Sequence, residues 1–248
     1  MSTVPVSPAE HINARFFDAN EERLNSLTPL RGYADQRLVS LKDAVKTLGD
    51  QLDDINSRVW TATNRCTEPA DKLSPNESAA IILYTIEWDP GHPSLYSVLN
   101  KTLRLEDRNN LKPWFPYLKL LLTALFKLPS TRCIVWRYVS VDLCSRYKQG
   151  DSFTWWAFSS CTTSISVLES LNYLGTSNTG TVFAIECLNG KNIKRHSYFA
   201  QEDEILLLPC AHFKVVDQLN RKDGLRIIHV REVQPPIMLL EPPDSIPR

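Results

Sequence analysis

The sequence predicts an α+β fold, with helices in the first half and a mostly β second half. Three observations carry this. Leu41, Val45, Leu48, Leu52, Ile55 and Val59 recur at 4-3-4-3-4 spacing, an apolar stripe on one helical face. Ser74-Pro75-Asn76-Glu77 is a helix-start signature: a serine cap, proline at the first helical position and glutamate three after the cap. After Pro129 the apolar runs become short and strand-like, and no βαβ alternation suggests a doubly wound sheet.

In chain order, residues 1–37 are polar and irregular, with a short helix expected around 9–17. The stripe predicts one helix of about five turns over 41–59; such stripes are far more often core packing than a cofactor box. The Ser74 signature opens a helix running to about residue 86. Asp89-Pro90-Gly91-His92-Pro93 then breaks the chain, and Ser94 can cap a helix through residue 103. A leucine-rich helix follows over 114–126, with Pro116 tolerated in its first turn and Pro129 stopping it. Strands are expected at 133–139, 155–161, 181–187, 204–208, 213–216, 225–230 and 237–240, with one short helix over 164–174.

Composition narrows the function. At 248 residues and 43% apolar content, the chain suits one large domain or a domain with an N-terminal extension. Twenty-eight basic and 28 acidic residues balance, and no basic stripe points to nucleic acid or an anionic membrane. No apolar run approaches the roughly 20 residues that span a bilayer, and no leader or lipid-anchor signal is seen, so a cytoplasmic protein is expected. The six cysteines form no Cys-x-x-Cys pair; Cys133, Cys161, Cys187 and Cys210 sit in or beside apolar runs and read as buried free thiols. The sequons at Asn76 and Asn100 are weak counter-evidence, since such triplets arise often by chance. Neither Gly-rich phosphate motif is present, and the five histidines are scattered, so no metal site is expected. His196 and His212 flank the acidic stretch described next and read as structural rather than as general bases.

That stretch is Gln201-Glu202-Asp203-Glu204-Ile205-Leu206-Leu207-Leu208. With extended geometry at Glu202, Glu202 and Glu204 would share a face about 7 Å apart and Asp203 would point away. Two carboxylates at the mouth of a core strand are costly to keep charged unless something uses the charge. One use is to stabilise an oxocarbenium-like sugar cation while a second carboxylate handles a proton. The plainer reading is a solvated acidic turn capping a strand. Two further polar elements interrupt apolar strands: Arg137 within 133–139, and Ser159-Ser160 closing Trp155-Trp156-Ala157-Phe158. Singly, each has an ordinary reading as an edge arginine or a turn.

Arginine, then serine, then Glu-x-Glu is an order that resembles the arginine-specific mono-ADP-ribosyltransferases, the group shared by certain bacterial toxins and vertebrate ecto-enzymes. The resemblance covers about residues 78–218. It includes Ile82-Leu83-Tyr84-Thr85, Leu99-Asn100, Ala124-Leu125-Phe126-Lys127-Leu128-Pro129 and Ser197-x-Phe199-x-x-Glu202-x-Glu204. It implies a split β core with N-terminal helices, residues 1–70 forming a helical extension and 71–248 the catalytic domain. NAD is implied as co-substrate, bound by Arg137, Tyr138, Ser159, Ser160, Phe199 and Glu204, with no metal needed. Arg137 would hold the pyrophosphate, for which a guanidinium is suited. Ser160 would fix the catalytic carboxylate or the nicotinamide ribose. Glu204 would grip the ribose 2′-hydroxyl and stabilise charge as the bond to nicotinamide opens. Glu202 would orient and deprotonate an acceptor guanidinium, making a protein with an exposed arginine the partner. Tyr198 and Phe199 belong to the loop that presents the acceptor, and residues 174–180 correspond to a phosphate–nicotinamide loop.

The chain departs from the family pattern at Tyr138, where glycine is common and a ring could crowd the nicotinamide pocket. Ser160-Cys161-Thr162 stands for Ser-Thr-Ser, the loop 176–180 lacks a basic residue, and Cys210-Ala211 replaces a small turn. The reaction implied is transfer of ADP-ribose to a protein arginine. An NAD glycohydrolase and a non-catalytic dinucleotide-binding module are the alternatives, the second favoured by Tyr138 and the loop changes.

Overall fold

In the computed structural model, residues 14–17, 26–164, 180–220 and 225–243 are described. The expected helix over 164–174 and the loop residues 174–179 fall almost wholly outside them. Of the helix expected around 9–17, a 3-10 turn at Ala14–Phe17 is seen.

The apolar stripe is buried throughout, but not on one helix. It divides into α1 (Leu41–Ala44), a 3-10 turn (Lys46–Leu48) and α2 (Ile55–Asn64). The intervening chain is Gly49-Asp50 and Asp53-Asp54, residues that favour turns over helix interiors, and Asp54 enters α2 in the left-handed region at φ 54°. Helical spacing therefore reported burial correctly and continuity wrongly.

Helix α3 (Pro75–Thr85) starts where its cap predicts. Ser74 Oγ accepts from the Glu77 N–H at 3.3 Å while Glu77 Oε2 accepts from the Ser74 N–H at 2.8 Å, satisfying two end donors reciprocally. Helix α4 (Leu95–Leu103) also starts on time, yet Ser94 does not cap it with its side chain; its Oγ accepts from the Trp88 N–H at 2.8 Å instead. A 3-10 turn at Arg108–Trp114 leads into α5 (Phe115–Lys127), where Pro116 lies in the first turn. Tyr117 on α5 donates its hydroxyl to the Ala80 carbonyl of α3 at 2.9 Å, locking the two central helices together.

Seven strands form one mixed sheet: β1 (Ser130–Val139), β2 (Ser152–Trp155), β3 (Ser159–Thr162), β4 (Gly180–Asn192), β5 (Glu204–Leu207), β6 (Ala211–Asn220) and β7 (Leu225–Glu232). Their order is β1-β3-β5-β4-β7-β6-β2, with β1 also pairing β4. Strand β4 is where the sheet divides. It pairs β1 and β7 from residue 180 onward, and at Lys191 and Asn192 it pairs β5. The result is an α+β architecture with a split β core and N-terminal helices.

Two expected strands change. The run 155–161 breaks at 156–158, because Trp155 packs into the aromatic core with Phe153, Phe183 and Phe213 while Trp156, Ala157 and Phe158 cross to the helix-side core. Asn100 supports that crossing: its Oδ1 accepts from the Phe158 N–H and its Nδ2 donates to the Tyr84 hydroxyl, both at 3.2 Å. At 2% exposure Asn100 is no glycan acceptor in the folded chain. The segment 237–240 makes a single bridge, Leu30 to Leu240, because Pro235-Pro236 and Pro242-Pro243 remove the donors a ladder needs on either side. All six cysteines are free; Cys161, Cys187 and Cys210 are buried as expected, with Cys66, while Cys133 is only partly buried. No helix among the described residues is long and apolar enough to cross a membrane.

His196 ties the chain before β5 to α3. Its Nδ1 lies 2.9 Å from Ser78 Oγ and its Nε2 3.1 Å from Asp71 Oδ2. Burial lowers its pKa against the opposing pull of Asp71. The unfolded chain therefore binds a proton first as pH falls, so this contribution to stability is present above the ordinary histidine value and is lost below it. Urea midpoints should fall more for the native chain than for His196→Gln between about pH 7 and pH 5; parallel curves would rule the linkage out. Replacing the α3 cap, Ser74→Ala, should cost about 1 kcal/mol and lower the thermal midpoint by about 2–4 °C, read by calorimetry.

Candidate active site

Strands β1, β3 and β5 are neighbours in the sheet. The register Ser160 to Leu206 and Thr162 to Glu204 puts Ser160, Thr162, Glu204 and Leu206 on one face, since side chains two apart share a face. A single pairing, Trp136 to Thr162, draws β1 alongside β3. Arg137, with no exposed surface, then reaches across, and its Nη1 donates to the Ser160 carbonyl at 2.6 Å. Ser159 and Ser160 are both buried at the start of β3.

Glu204 is the first residue of β5 and has no exposed surface. Glu202 is not extended, as the shared-face expectation required. It ends a 3-10 turn (Ala200–Glu202), and Asp203 follows in the left-handed region at φ 46° with its carboxylate turned out to Lys194. The two glutamates nevertheless converge, because one cation holds both. Arg15 Nη2 lies 2.9 Å from Glu202 Oε2 and 3.0 Å from Glu204 Oε2.

Arg15 comes from the Ala14–Phe17 turn and is 1% exposed. Its Nη1 donates to the Thr85 carbonyl and lies 3.9 Å from Glu87 Oε1; its own carbonyl accepts from Arg137 Nη1 at 3.2 Å. Burial alone would lower its pKa, but the charges of Glu204, then Glu202 and Glu87, outweigh that and raise it. Phe199 closes one side, its ring centre 5.7 Å from the guanidinium carbon. The Tyr198 N–H donates to Thr85 Oγ1 at 2.8 Å, and Arg65 stacks over the Tyr198 ring at 3.9 Å.

Sequence reasoning missed Arg15 and Glu87, and quoted Thr85 in the resemblance without a role. Arg15 stands alone in Ala14-Arg15-Phe16-Phe17, with no period or motif to mark it. Glu87 and Thr85 flank the end of α3, and only the fold brings that helix end to β5.

Tyr138 packs in a separate small apolar cluster. Side chains alternate along β1, so its ring falls on the opposite face from Arg137 and packs with Val182, Trp136, Leu225 and Ile227. Gly180 makes room for it, since a Cβ there would lie 2.3 Å from the Tyr138 hydroxyl. The ring therefore does not crowd the Arg137 side.

Several buried polar atoms have no partner among the described residues: Arg137 Nε and Nη2, Glu204 Oε1 and Arg15 Nε. Unsatisfied buried groups are rare and call for a ligand or a functional reason. Chemically, the cluster offers a guanidinium for an anion beside carboxylates that hold a cation. No group of three or more His, Cys, Asp or Glu among the described residues could hold a metal ion. A cavity of about 620 Å³ lies elsewhere, lined by residues such as Phe126, Leu208, Cys210 and Met238, and none of the cluster's residues lines it.

Solved structures with a similar fold are ADP-ribosyltransferases and effectors of bacteria. ADP-ribosyltransferase HopU1 of Pseudomonas syringae pv. Tomato DC3000 is 21% identical over 81% of this chain and 90% of its own, with a TM-score of 0.54. ADP-ribosyltransferase Vis, a toxin from Vibrio splendidus, solved with agmatine, is 20% identical over 82% and 90%, with a TM-score of 0.53. The type III effector XopAI from Xanthomonas axonopodis pv. citri is 16% identical over 84% and 85%, with a TM-score of 0.58. No curated protein sequence matches the chain. A family profile described as NAD:arginine ADP-ribosyltransferase matches residues 34–234, a span that takes in β1 through β7. By that match the chain belongs to the NAD:arginine ADP-ribosyltransferase family, whose chemistry is NAD-dependent transfer of ADP-ribose.

Proposed function

We propose that this protein transfers ADP-ribose from NAD to arginine side chains of proteins, releasing nicotinamide. The observation that carries the reading is that Glu202 and Glu204 together grip one guanidinium, at 2.9 and 3.0 Å. A pocket that already fits a guanidinium between two carboxylates is suited to an arginine acceptor. In this reading residues 71–248 form the catalytic domain and residues 1–70 the helical extension.

The roles follow from which atoms stay available. Arg137 keeps Nε and Nη2 without partners among the described residues, and these donors suit the NAD pyrophosphate bidentately. Glu204 Oε1 has no partner among the described residues while Oε2 is engaged, so Oε1 can accept a hydrogen bond from a ribose 2′-hydroxyl beside an occupied acceptor position. As the bond between C1′ and nicotinamide opens, nicotinamide leaves with the electron pair and positive charge develops on the ribose. A fixed carboxylate beside that charge lowers the barrier without reorganising. Glu202 takes the proton that the acceptor nitrogen must lose as it attacks C1′. Ser159 and Ser160 hold the start of β3 against Arg137, and Phe199 covers the nicotinamide side.

Two substitutions test this, with nicotinamide release and agmatine modification measured in parallel. Glu204→Gln should lower nicotinamide release by about 100-fold or more, with NAD affinity by calorimetry changed far less. Full release from that variant would remove Glu204 from the chemistry. Glu202→Gln should lower agmatine modification by roughly 100-fold while slow NAD hydrolysis persists. If native release is indifferent to agmatine and no arginine of the protein itself carries ADP-ribose, the protein delivers ADP-ribose to water or to another acceptor, and arginine transfer is excluded.

A further inference from the structure

Arg15 is the chain's own arginine in the position just assigned to an acceptor. Its side chain is wholly buried, and one nitrogen contacts both glutamates. Glu87 adds a third carboxylate at 3.9 Å, and the Phe199 and Tyr96 rings lie 5.7 and 5.9 Å from the guanidinium carbon. A surface ion pair would mean little, but here an arginine and a glutamate whose side chains have no exposed surface compensate one another. The backbone of the same turn caps Arg137 through the Arg15 carbonyl. Seated this way, the turn closes the place where the NAD phosphates and ribose would lie. Its occupation is incomplete, however: Glu204 Oε1 and two Arg137 nitrogens stay without partners among the described residues.

We propose that Arg15 is an intramolecular acceptor, a self-modification site at which the protein places ADP-ribose on its own N-terminal segment. This rests on the arginine-transfer reading above. At rest the turn sits on the glutamates and Arg137. NAD enters by displacing the Arg15 carbonyl from Arg137, and Arg15 stays tethered beside Glu202. A covalently tethered group acts at an effective concentration of about millimolar, ahead of dilute external arginines. An Arg15 terminal nitrogen attacks C1′ of the nicotinamide ribose, the C1′–N bond breaks, and nicotinamide carries off its electron pair. The guanidinium proton passes to Glu202 and then to solvent. The products are ADP-ribosyl-Arg15, nicotinamide and one proton. The modified side chain is bulkier and carries the diphosphate's negative charge, so it cannot return between Glu202 and Glu204, and the site stays open to other acceptors.

The test incubates the full chain with NAD and maps ADP-ribose by peptide mass analysis over time, at widely different protein concentrations. The expected result is ADP-ribose on the peptide carrying Arg15, at a rate per molecule independent of concentration. Arg15→Lys leaves a cation within reach of the buried glutamates but lacks the forked guanidinium, and circular dichroism checks that the variant is folded. That variant should lose the label while still modifying agmatine, since no tethered arginine is left to accept ADP-ribose. Agmatine modified with Arg15 untouched overturns the proposal, as does a labelling rate that climbs with protein concentration, which marks transfer between molecules. If neither the native chain nor Arg15→Lys releases nicotinamide or modifies agmatine, arginine transfer itself fails, a separate outcome.

Discussion

Glu204 is a carboxylate with no exposed surface at the head of a core strand, and compensating it is the constraint on which this half of the molecule turns. Removing a carboxylate from water costs several kcal/mol unless a partner and further hydrogen bonds make up the loss. Arg15 supplies the partner, Glu202 and Glu87 share the cation, and Thr85 anchors it by its carbonyl. One guanidinium thus ties four distant parts of the chain together: the N-terminal turn, the end of α3, the turn before β5, and β5 itself. An ion cluster of this kind is poor at adding stability compared with apolar packing, but removing one member leaves the others buried and uncompensated. That asymmetry makes it a device for holding a particular arrangement.

The rest of the fold brings those parts within reach. The helix-side core is built from leucine-rich α5 and almost fully buried α3, and it fixes where α3 ends. Asn100 bridges Tyr84 of α3 and the Phe158 backbone, so the start of β3 is indexed to the helices rather than floating on the sheet. The break between β2 and β3 is part of the same design. Trp155 must face the aromatic core and Phe158 the helical one, and the chain cannot remain a single strand while doing both. Ser159 and Ser160 follow directly after that crossing, where the Ser160 carbonyl meets Arg137.

The proposed chemistry and the proposed self-modification draw on one feature, a pocket whose charge pattern selects a guanidinium. The planar fork of arginine serves Glu202 and Glu204 from one nitrogen and the Thr85 carbonyl from the other. A family whose chemistry is ADP-ribose transfer needs such a pocket next to a place for NAD, and Arg137 and Glu204 in the same cluster carry buried atoms without partners among the described residues. The family match spans 34–234 and stops short of Arg15. The resident guanidinium is thus a property of this chain's own N-terminal segment.

Local chemistry was readable from the sequence wherever neighbours in the chain decide the outcome. The Ser74 capping box placed α3, Pro116 placed the first turn of α5, and the apolar runs after Pro129 placed most strands, because caps, proline geometry and apolar period act over a few residues. Arg137, Ser160, Glu202 and Glu204 stood out as polar residues against apolar runs, and their order along the chain carried the resemblance. Tertiary structure alone decided the rest. The 41–59 stripe folded as two helices because turn-forming residues outweighed its period, and Tyr138 left the Arg137 side because a strand alternates its faces. Above all, the convergence of Glu202 and Glu204 came from Arg15, 187 positions from the first and 189 from the second. Nothing in Ala14-Arg15-Phe16-Phe17 announces that contact: a buried ion pair is chosen by the desolvated space around it, and that space exists only after the helices and the split sheet have closed.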